Sequence, residues 1–457
     1  MPPKFFSRSS ARPVKPPASV PHAHARATSP VLAQADLASA AAPLGKQSGG
    51  LARFGFDYLP DGQVYLDSAC QTLRPQPVIE AMNRYFTEYN ACGERVKYDW
   101  GRTVDAKLLA ARSRVLKFLG LSAKHYSTSF TLNTTYGINL LLSQLPQGRY
   151  SRVITTHTEH NSVFLSTMAC ARQQGLDRFL LDRDLATGQL LYEGSSLLAL
   201  PAAKILDRSI VVISAMNNVT GDPTVGLAEL IALTHARGGI VIVDAAQAVP
   251  HDSKLITQLT SDKDSTPDAI CFSAHKTYGA SLGVVAASNA LLESLDIGFI
   301  GGGQVAAVRE NDFTLMDDLH TRLEPGLQAW GEIIALEAAL EWMDSFPRKM
   351  GTSMTDHESR LSHLLYDSLI QLPNVTVLSQ PGSALLTISP HRVSGHQLAG
   401  FLSKADIMVR SGYFCAHHWI QEVLGLGPLV RFSLGAHNTD DDIGHTVQIM
   451  TKLMKGL

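Results

Sequence analysis

The sequence predicts an α/β protein: a mostly parallel sheet flanked by helices, followed by a smaller α+β unit. Three observations carry the prediction. Short runs such as Ile210-Val211-Val212-Ile213 are apolar throughout rather than alternating, the pattern of strands covered on both faces. Longer segments with helical apolar spacing separate these runs, as crossover connections between parallel strands require. Finally, Pro347 and Gly351 punctuate the chain, and a helix, two strand-like runs and another helix follow.

In chain order, strands are expected at 127–132, 152–156, 210–214, 240–244, 269–273 and 283–287, six of the strands of a seven-stranded type of sheet. A helix is expected over 104–119, where Val104, Leu108, Ala111, Val115 and Phe118 form one stripe. Another is expected over 331–343, with Ile333, Leu336, Leu340 and Met343 on one face. Beyond Pro347 the reading is helix 356–372, strands 375–378 and 384–388, and helix 395–404. The expected organisation is a leader at 1–50, a large domain at 51–346 and a small domain at 347–457. The start of the large domain is expected to pack on the small one.

Composition bounds the function. The 457 residues hold 39 Lys+Arg against 41 Asp+Glu, a formal net charge of −2, and nucleic-acid binders carry a basic excess. No apolar run is long enough to predict a membrane-spanning helix, and five cysteines do not make a disulfide scaffold. Residues 1–50 contain six basic side chains, one acidic one (Asp36) and eight prolines, so this stretch carries +5 and the remainder −7. A segment so poor in apolar periodicity cannot offset its ordering entropy, and disorder is expected. The same composition suits an organelle (mitochondrial) transit peptide, the alternative to a cytoplasmic location.

Ligands of open parallel sheets bind beyond the carboxyl ends of the strands, so the residues after each strand matter most. Asn133-Thr134-Thr135-Tyr136-Gly137 opens a helix and suits either a phosphate or a plain N-cap. His157-Thr158-Glu159-His160 offers two metal ligands without the partners of a convincing set, a ring to stack on a cofactor, or ordinary structural histidines. Asn218 follows the third strand, and Asp244 with Gln247 follows the fourth. Ser273-Ala274-His275-Lys276 places a lysine just past an apolar strand, where desolvation makes an amine a usable nucleophile. Phosphate cup, ring, acid, amide and lysine are together what pyridoxal phosphate requires. No metal site is predicted.

The chain resembles the cysteine desulfurase/selenocysteine lyase group of class V aminotransferase-like, fold-type I pyridoxal-phosphate enzymes. The resemblance rests on Y-L-D-S-A (65–69), D-A-A-Q-A (244–248), S-A-H-K-T-Y-G (273–279), G-G-G-Q-V (301–305), R-S-G-Y-F-C-A (410–416) and R-F-S-L-G-A-H-N-T (431–439). It implies that Lys276 holds the cofactor and shuttles protons, that Asp244 pairs with its pyridinium nitrogen, and that His160 stacks on its ring. It further implies that Gln247 and Asn218 reach the phenolic oxygen, that Thr134, Thr135, Ser273 and His275 hold the phosphate, and that Arg431 clamps the substrate carboxylate with Arg410 nearby. Cys415 would take sulfur from L-cysteine as a persulfide, releasing L-alanine and passing the sulfur to an acceptor protein. Arg410, His417 and His418 would supply positive charge around it. Cys70, Cys92, Cys170 and Cys271 are read as packing residues.

The resemblance also implies a homodimer, but Leu327 stands where these enzymes carry a threonine for the neighbouring subunit's phosphate. Gly93–Gly101 departs from the group's usual His-Arg-Gly-x-His stretch, and Tyr413-Phe414 replaces a common pair of histidines. Alternatives are another pyridoxal-phosphate reaction (C–S lyase, selenocysteine lyase, aminotransferase, or a molybdenum-cofactor-sulfurase-like one) and a non-catalytic binding protein.

Overall fold

The computed structural model describes residues 54–93, 96–184, 186–191 and 202–456. The expected leader at 1–50 lies outside them. The large sheet contains β2 (Tyr126–Thr131), β3 (Arg152–Thr156), β4 (Asp177–Arg183), β5 (Leu190–Leu191), β6 (Ser209–Ser214), β7 (Ile240–Asp244), β8 (Ala269–Ser273) and β9 (Gly283–Ser288). Its order is β2-β9-β8-β7-β6-β3-β4-β5. The pairs β8–β7, β7–β6, β6–β3 and β3–β4 are parallel, and antiparallel pairs close both edges. The fully apolar reading holds for the interior strands, since every residue of β7 and β8 is buried.

All six expected strands form, within a residue at either end. Two were not expected. β4 reads Asp-Arg-Phe-Leu-Leu-Asp-Arg, charged at both ends and mostly half-buried, so it lacks the apolar run that marks a central strand. β5 has only two residues and pairs with β4 as a short cap on that edge.

The helical stripe from Val104 lies in Asp99–Phe118 (α2), which follows α1 (Gln76–Glu88). Arg112 of α2 makes two hydrogen bonds to the Glu324 carboxylate (2.6 and 2.7 Å), and Glu324 also accepts the Phe130 N–H (2.6 Å). Both side chains are nearly buried. Breaking a buried pair from one side leaves a desolvated charge behind, so Glu324→Ala is expected to lower stability by about 3–5 kcal/mol in urea unfolding.

Helix Trp330–Met350 runs seven residues past the stripe read from sequence and contains Pro347. The proline does not end it because the loss falls in the last turn, which Gly351 closes at φ 71°. The second sheet, β12 (Val375–Val377), β13 (Leu385–Pro390), β15 (Arg410–Gly412) and β16 (Leu429–Ser433), is antiparallel with order β12-β13-β16-β15. Its core joins Leu386, Ile388 and Phe432 to helix residues Leu361, Leu365, Leu398 and Met450. β1 (Val64–Tyr65) pairs in parallel with β14 (Ile407–Met408), and Asp67 bridges to Ser433. Residues 64–67 are thereby fixed against this sheet. Among the described residues, no helix is long and apolar enough to cross a membrane.

Candidate active site

The lysine sits where its strand ends. Lys276 closes the turn Ala274–Lys276 immediately after β8, and the Thr277 and Gly279 N–H groups both donate to the Ala274 carbonyl at 2.8 Å. Tyr278 follows at φ 58°, a conformation L-residues rarely adopt, with its ring buried and its hydroxyl accepting the Ala436 N–H at 2.9 Å. Burial pulls the Lys276 amine below its ordinary range; Asp244 opposes the shift and Arg431 reinforces it.

Asp244 ends β7 and is 5% exposed. One carboxylate oxygen accepts the Ala246 N–H (2.9 Å) and the other the Ser162 hydroxyl (3.1 Å). Burial pushes its carboxyl above the usual value. Both donors are neutral, and among the described residues no cation forms an ion pair with it. A buried carboxylate in that state is a receptor for a cationic N–H.

His160 is the N-cap of α3 (Asn161–Gln174), with Nδ1 taking the Ser162 N–H at 3.0 Å. The Ser162 hydroxyl lies 2.7 Å from the same nitrogen and so links this ring to Asp244. Burial, with Lys276 and Arg431 acting in the same sense, lowers the imidazole to about 3. The ring is therefore neutral at any physiological pH.

The phosphate-cup residues split into a buried and an exposed part. Thr134 N–H donates to Ser273 Oγ at 3.0 Å, and the two hydroxyls lie 2.6 Å apart. Tyr136 and Gly137 N–H groups are taken by Asn133, while Thr135 is exposed. His275 is half-buried, and burial beside Lys276 and Arg74 lowers it to about 4. Gln247 donates to the Ala69 carbonyl (2.8 Å) and Asn218 to that of Phe414 (2.7 Å). Each amide nitrogen keeps a second hydrogen, and Gln247 Oε1 and Asn218 Oδ1 are buried without a partner.

Arg431 comes from the second sheet. Its guanidinium is buried, lies 4.8 Å over the Phe414 ring and donates to the Asn218 carbonyl at 2.6 Å. Arg410 faces it directly across β15–β16, with about half of its side chain exposed.

Cys415 is exposed, at φ 56°, and Phe414 before it is at φ 47°. Two successive side-chain-bearing residues in the left-handed region persist only when their surroundings hold them. Here the Phe414 carbonyl accepts from Asn218, the Cys415 carbonyl accepts the Asn161 N–H (2.6 Å), and the Ala416 N–H returns to Tyr413 (2.7 Å). Phe414 and Ala416 bury against Val219, Trp419 and Ile420.

The structure corrects three points of the sequence reading. His418 does not furnish the expected cation: it stacks on Phe164, hydrogen-bonds His157 at 3.0 Å, and is lowered from its ordinary value chiefly by burial. Lys276 and Arg431 are both within electrostatic reach of Cys415. Cys92 is not a packing residue, since it is exposed, and Cys70 is only half-buried. Asp67, in the Y-L-D-S-A run, also belongs to the site, within ion-pair distance of Arg410 and Arg431. A carboxylate between Leu66 and two small residues at a strand end was the available signal.

The metal alternative does not assemble. Glu159 is buried and accepts from the Thr156 hydroxyl (2.7 Å) and the Ser214 N–H (3.0 Å), while His157 turns to His418 and His160 to Ser162. Among the described residues no group of three or more His, Cys, Asp or Glu side chains is placed to hold a metal.

A desolvated lysine and a cation-seeking carboxylate at the ends of adjacent parallel strands define a class of enzyme rather than a single reaction. The family model "Aminotransferase class-V" matches residues 64–445, and the chain belongs to that family. Similar curated proteins include cysteine desulfurases. Cysteine desulfurase CsdA of Escherichia coli (strain K12) is 28% identical over 410 residues, covering 88% of this chain and 97% of that one. A probable cysteine desulfurase of Vibrio cholerae is 27% identical over 394 residues, covering 85% and 93%. Among solved structures, the apo cysteine desulfurase of Thermococcus onnurineus NA1 superposes with a TM-score of 0.75 at 25% identity, covering 86% of this chain and 95% of that one. The Escherichia coli CsdA crystal structure gives 0.75 at 26%, covering 89% and 98%.

Proposed function

We propose that this protein is a pyridoxal-phosphate-dependent cysteine desulfurase that converts L-cysteine to L-alanine and holds the sulfur as a persulfide on Cys415. One observation carries the reading. A desolvated lysine lies within electrostatic reach of both a buried carboxylate whose hydrogen-bond donors are neutral and an exposed cysteine in a strained loop. Relatives named cysteine desulfurase over almost their whole length support it.

The residues present fit the cofactor: among the described residues the buried Gln247 and Asn218 side-chain oxygens have no hydrogen-bond partner and the buried Asp244 carboxylate forms no ion pair, a set whose chemistry suits a polar ligand. When bound, pyridoxal phosphate supplies an electron sink for bonds broken at the substrate's carbons. Thr134, Thr135, Ser273 and His275 would hold the phosphate at a helix N-terminus. Asp244 would stabilise positive charge on the ring nitrogen, and His160, being neutral, would stack on the ring without repelling that charge. Gln247 and Asn218 would reach the phenolic oxygen with their remaining N–H groups.

Lys276, its amine unprotonated more readily than an ordinary lysine's, binds the cofactor covalently and carries protons to and from the substrate carbons. Arg431 receives the α-carboxylate in a planar fork, with Arg410 adding charge beside it. Cys415 attacks the substrate's sulfur as thiolate: a bond forms between the two sulfurs, the carbon–sulfur bond breaks, and alanine leaves once protonated. In this reading residues 51–346 carry the cofactor and residues 347–457 carry Cys415 and Arg431. Exposed Phe86, Tyr98 and Leu327 line one depression and fit a homodimer contact, and the exposed cysteine suits hand-over to a sulfur-acceptor protein.

The test is turnover of L-cysteine by cofactor-loaded protein with alanine and sulfane sulfur both quantified. Equal amounts of the two support desulfuration. Pyruvate and sulfide in place of alanine would assign a C–S lyase instead, and no product from any sulfur or selenium amino acid would favour the non-catalytic alternative.

A further inference from the structure

The turn that carries Lys276 is braced on both sides. The Thr72 hydroxyl accepts the Tyr278 N–H (2.9 Å) and donates to the His275 carbonyl (3.1 Å), which also takes the Thr72 N–H (3.0 Å). Tyr278, two residues past the lysine, stands at φ 58° with its side chain fully buried. A bulky residue in that region persists only where its surroundings hold it. Phe56 and Trp342 pack against the ring, with centroids 6.3 and 4.9 Å away. The hydroxyl accepts the Ala436 N–H, which leaves its own proton to donate.

The acceptor facing that proton is Glu358 Oε1, at 3.4 Å. Glu358 belongs to helix Met354–Leu369, which packs on the second sheet through Leu361 and Leu365, and its side chain is fully buried. Its other oxygen lies 2.8 Å from His251 Nδ1. His251 Nε2 is buried without a partner, the state of a neutral imidazole that carries its proton on Nδ1 and donates it to Glu358. His251 ends the short helix Ala248–His251, which opens directly after Gln247, and its N–H donates to the Gln247 carbonyl (3.3 Å). The Thr355 hydroxyl, from the same helix as Glu358, donates to the His251 carbonyl (3.0 Å). One carboxylate therefore meets the segments that follow two adjacent parallel strands, β7 with Asp244 and Gln247 and β8 with Lys276. Apolar residues of similar volume would serve packing alone at no cost in desolvation.

We propose that Glu358 is a positioning residue for Lys276: through Tyr278 and His251 it clamps the two strand ends that carry the lysine and the Asp244–Gln247 pair at the spacing the reaction needs. The inference rests on the reading of Lys276 as the residue that binds the cofactor.

The experiment compares cofactor-loaded wild type, Glu358→Ala, Glu358→Gln, Tyr278→Phe and Lys276→Ala in kcat and KM for L-cysteine and in the pH profile of the lysine-bound absorbance band. Glu358→Ala and Tyr278→Phe are expected to lower kcat by about tenfold or more with KM nearly unchanged, as misplacing a reacting group does, and to move the pH midpoint of the band. Glu358→Gln, which can accept from Tyr278 and donate to the other tautomer of His251, is expected to recover most of the loss. A lowered melting temperature with wild-type kcat and pH midpoint in Tyr278→Phe, the result of mere packing, overturns the inference and leaves the role of Lys276 intact. So does a Glu358→Gln as impaired as Glu358→Ala. Should Glu358→Ala fail to fold, Tyr278→Phe decides alone. A lysine-bound band that persists in Lys276→Ala overturns that role and the inference together.

Discussion

Lys276→Ala is expected to lower L-cysteine turnover by at least about 10³-fold, since one side chain supplies both the covalent hold on the cofactor and the proton carrier. The magnitude follows from position. The amine stands at the end of a fully buried strand, and burial lowers its proton affinity so that the free base is available below the ordinary lysine range. Lys276→Arg keeps a cation but provides no free amine, and should be as inactive. The measurement is turnover together with the visible absorbance of cofactor-treated protein. The alanine variant should lose the lysine-bound band while binding the cofactor non-covalently through Thr134, Ser273 and Asp244. Retained turnover in Lys276→Ala would end the enzyme assignment of this site.

Cys415→Ala is expected to reduce alanine formation by about 10²–10³-fold, with cofactor binding and the first spectral change on adding L-cysteine preserved. The separation of effects is possible because the Cys415 side chain is exposed, whereas the loop's fixed points are the carbonyls of Phe414 and Cys415 and the buried Phe414 and Ala416 side chains. Alanine in place of cysteine leaves those contacts standing. Mass spectrometry of the wild type after a single turnover should find one additional sulfur on the Cys415 peptide. Alanine output that survives the substitution undiminished would move the reaction to a lyase or a related chemistry on the same fold.

Much of the architecture was legible because burial on both faces forces apolar runs. The strands from β6 to β9 announced themselves, and the polar residues that end them had to be loop residues at the ligand-binding edge. β4 was not legible, since a strand beside a two-residue edge strand and mostly half-buried tolerates Asp177, Arg178, Asp182 and Arg183. Helix Trp330–Met350 was misjudged at Pro347 because a proline costs little where a helix is about to end.

What the sequence determined by itself was the list of chemical groups: the lysine after a strand, the acid and amide three residues apart, the cysteine after Arg410, and the family to which such motifs point. Tertiary structure alone decided which groups answer one another. It placed Asp67 between two arginines, gave Ser162 to both His160 and Asp244, and turned His418 away from the role of cation. The physical reason is that hydrogen bonds and ion pairs act over a few ångströms, and these partners, Ser162 and His160 apart, lie tens to hundreds of residues from one another in the chain. Local composition records what each residue can do, but only the packed sheets set which charges share one low-dielectric space.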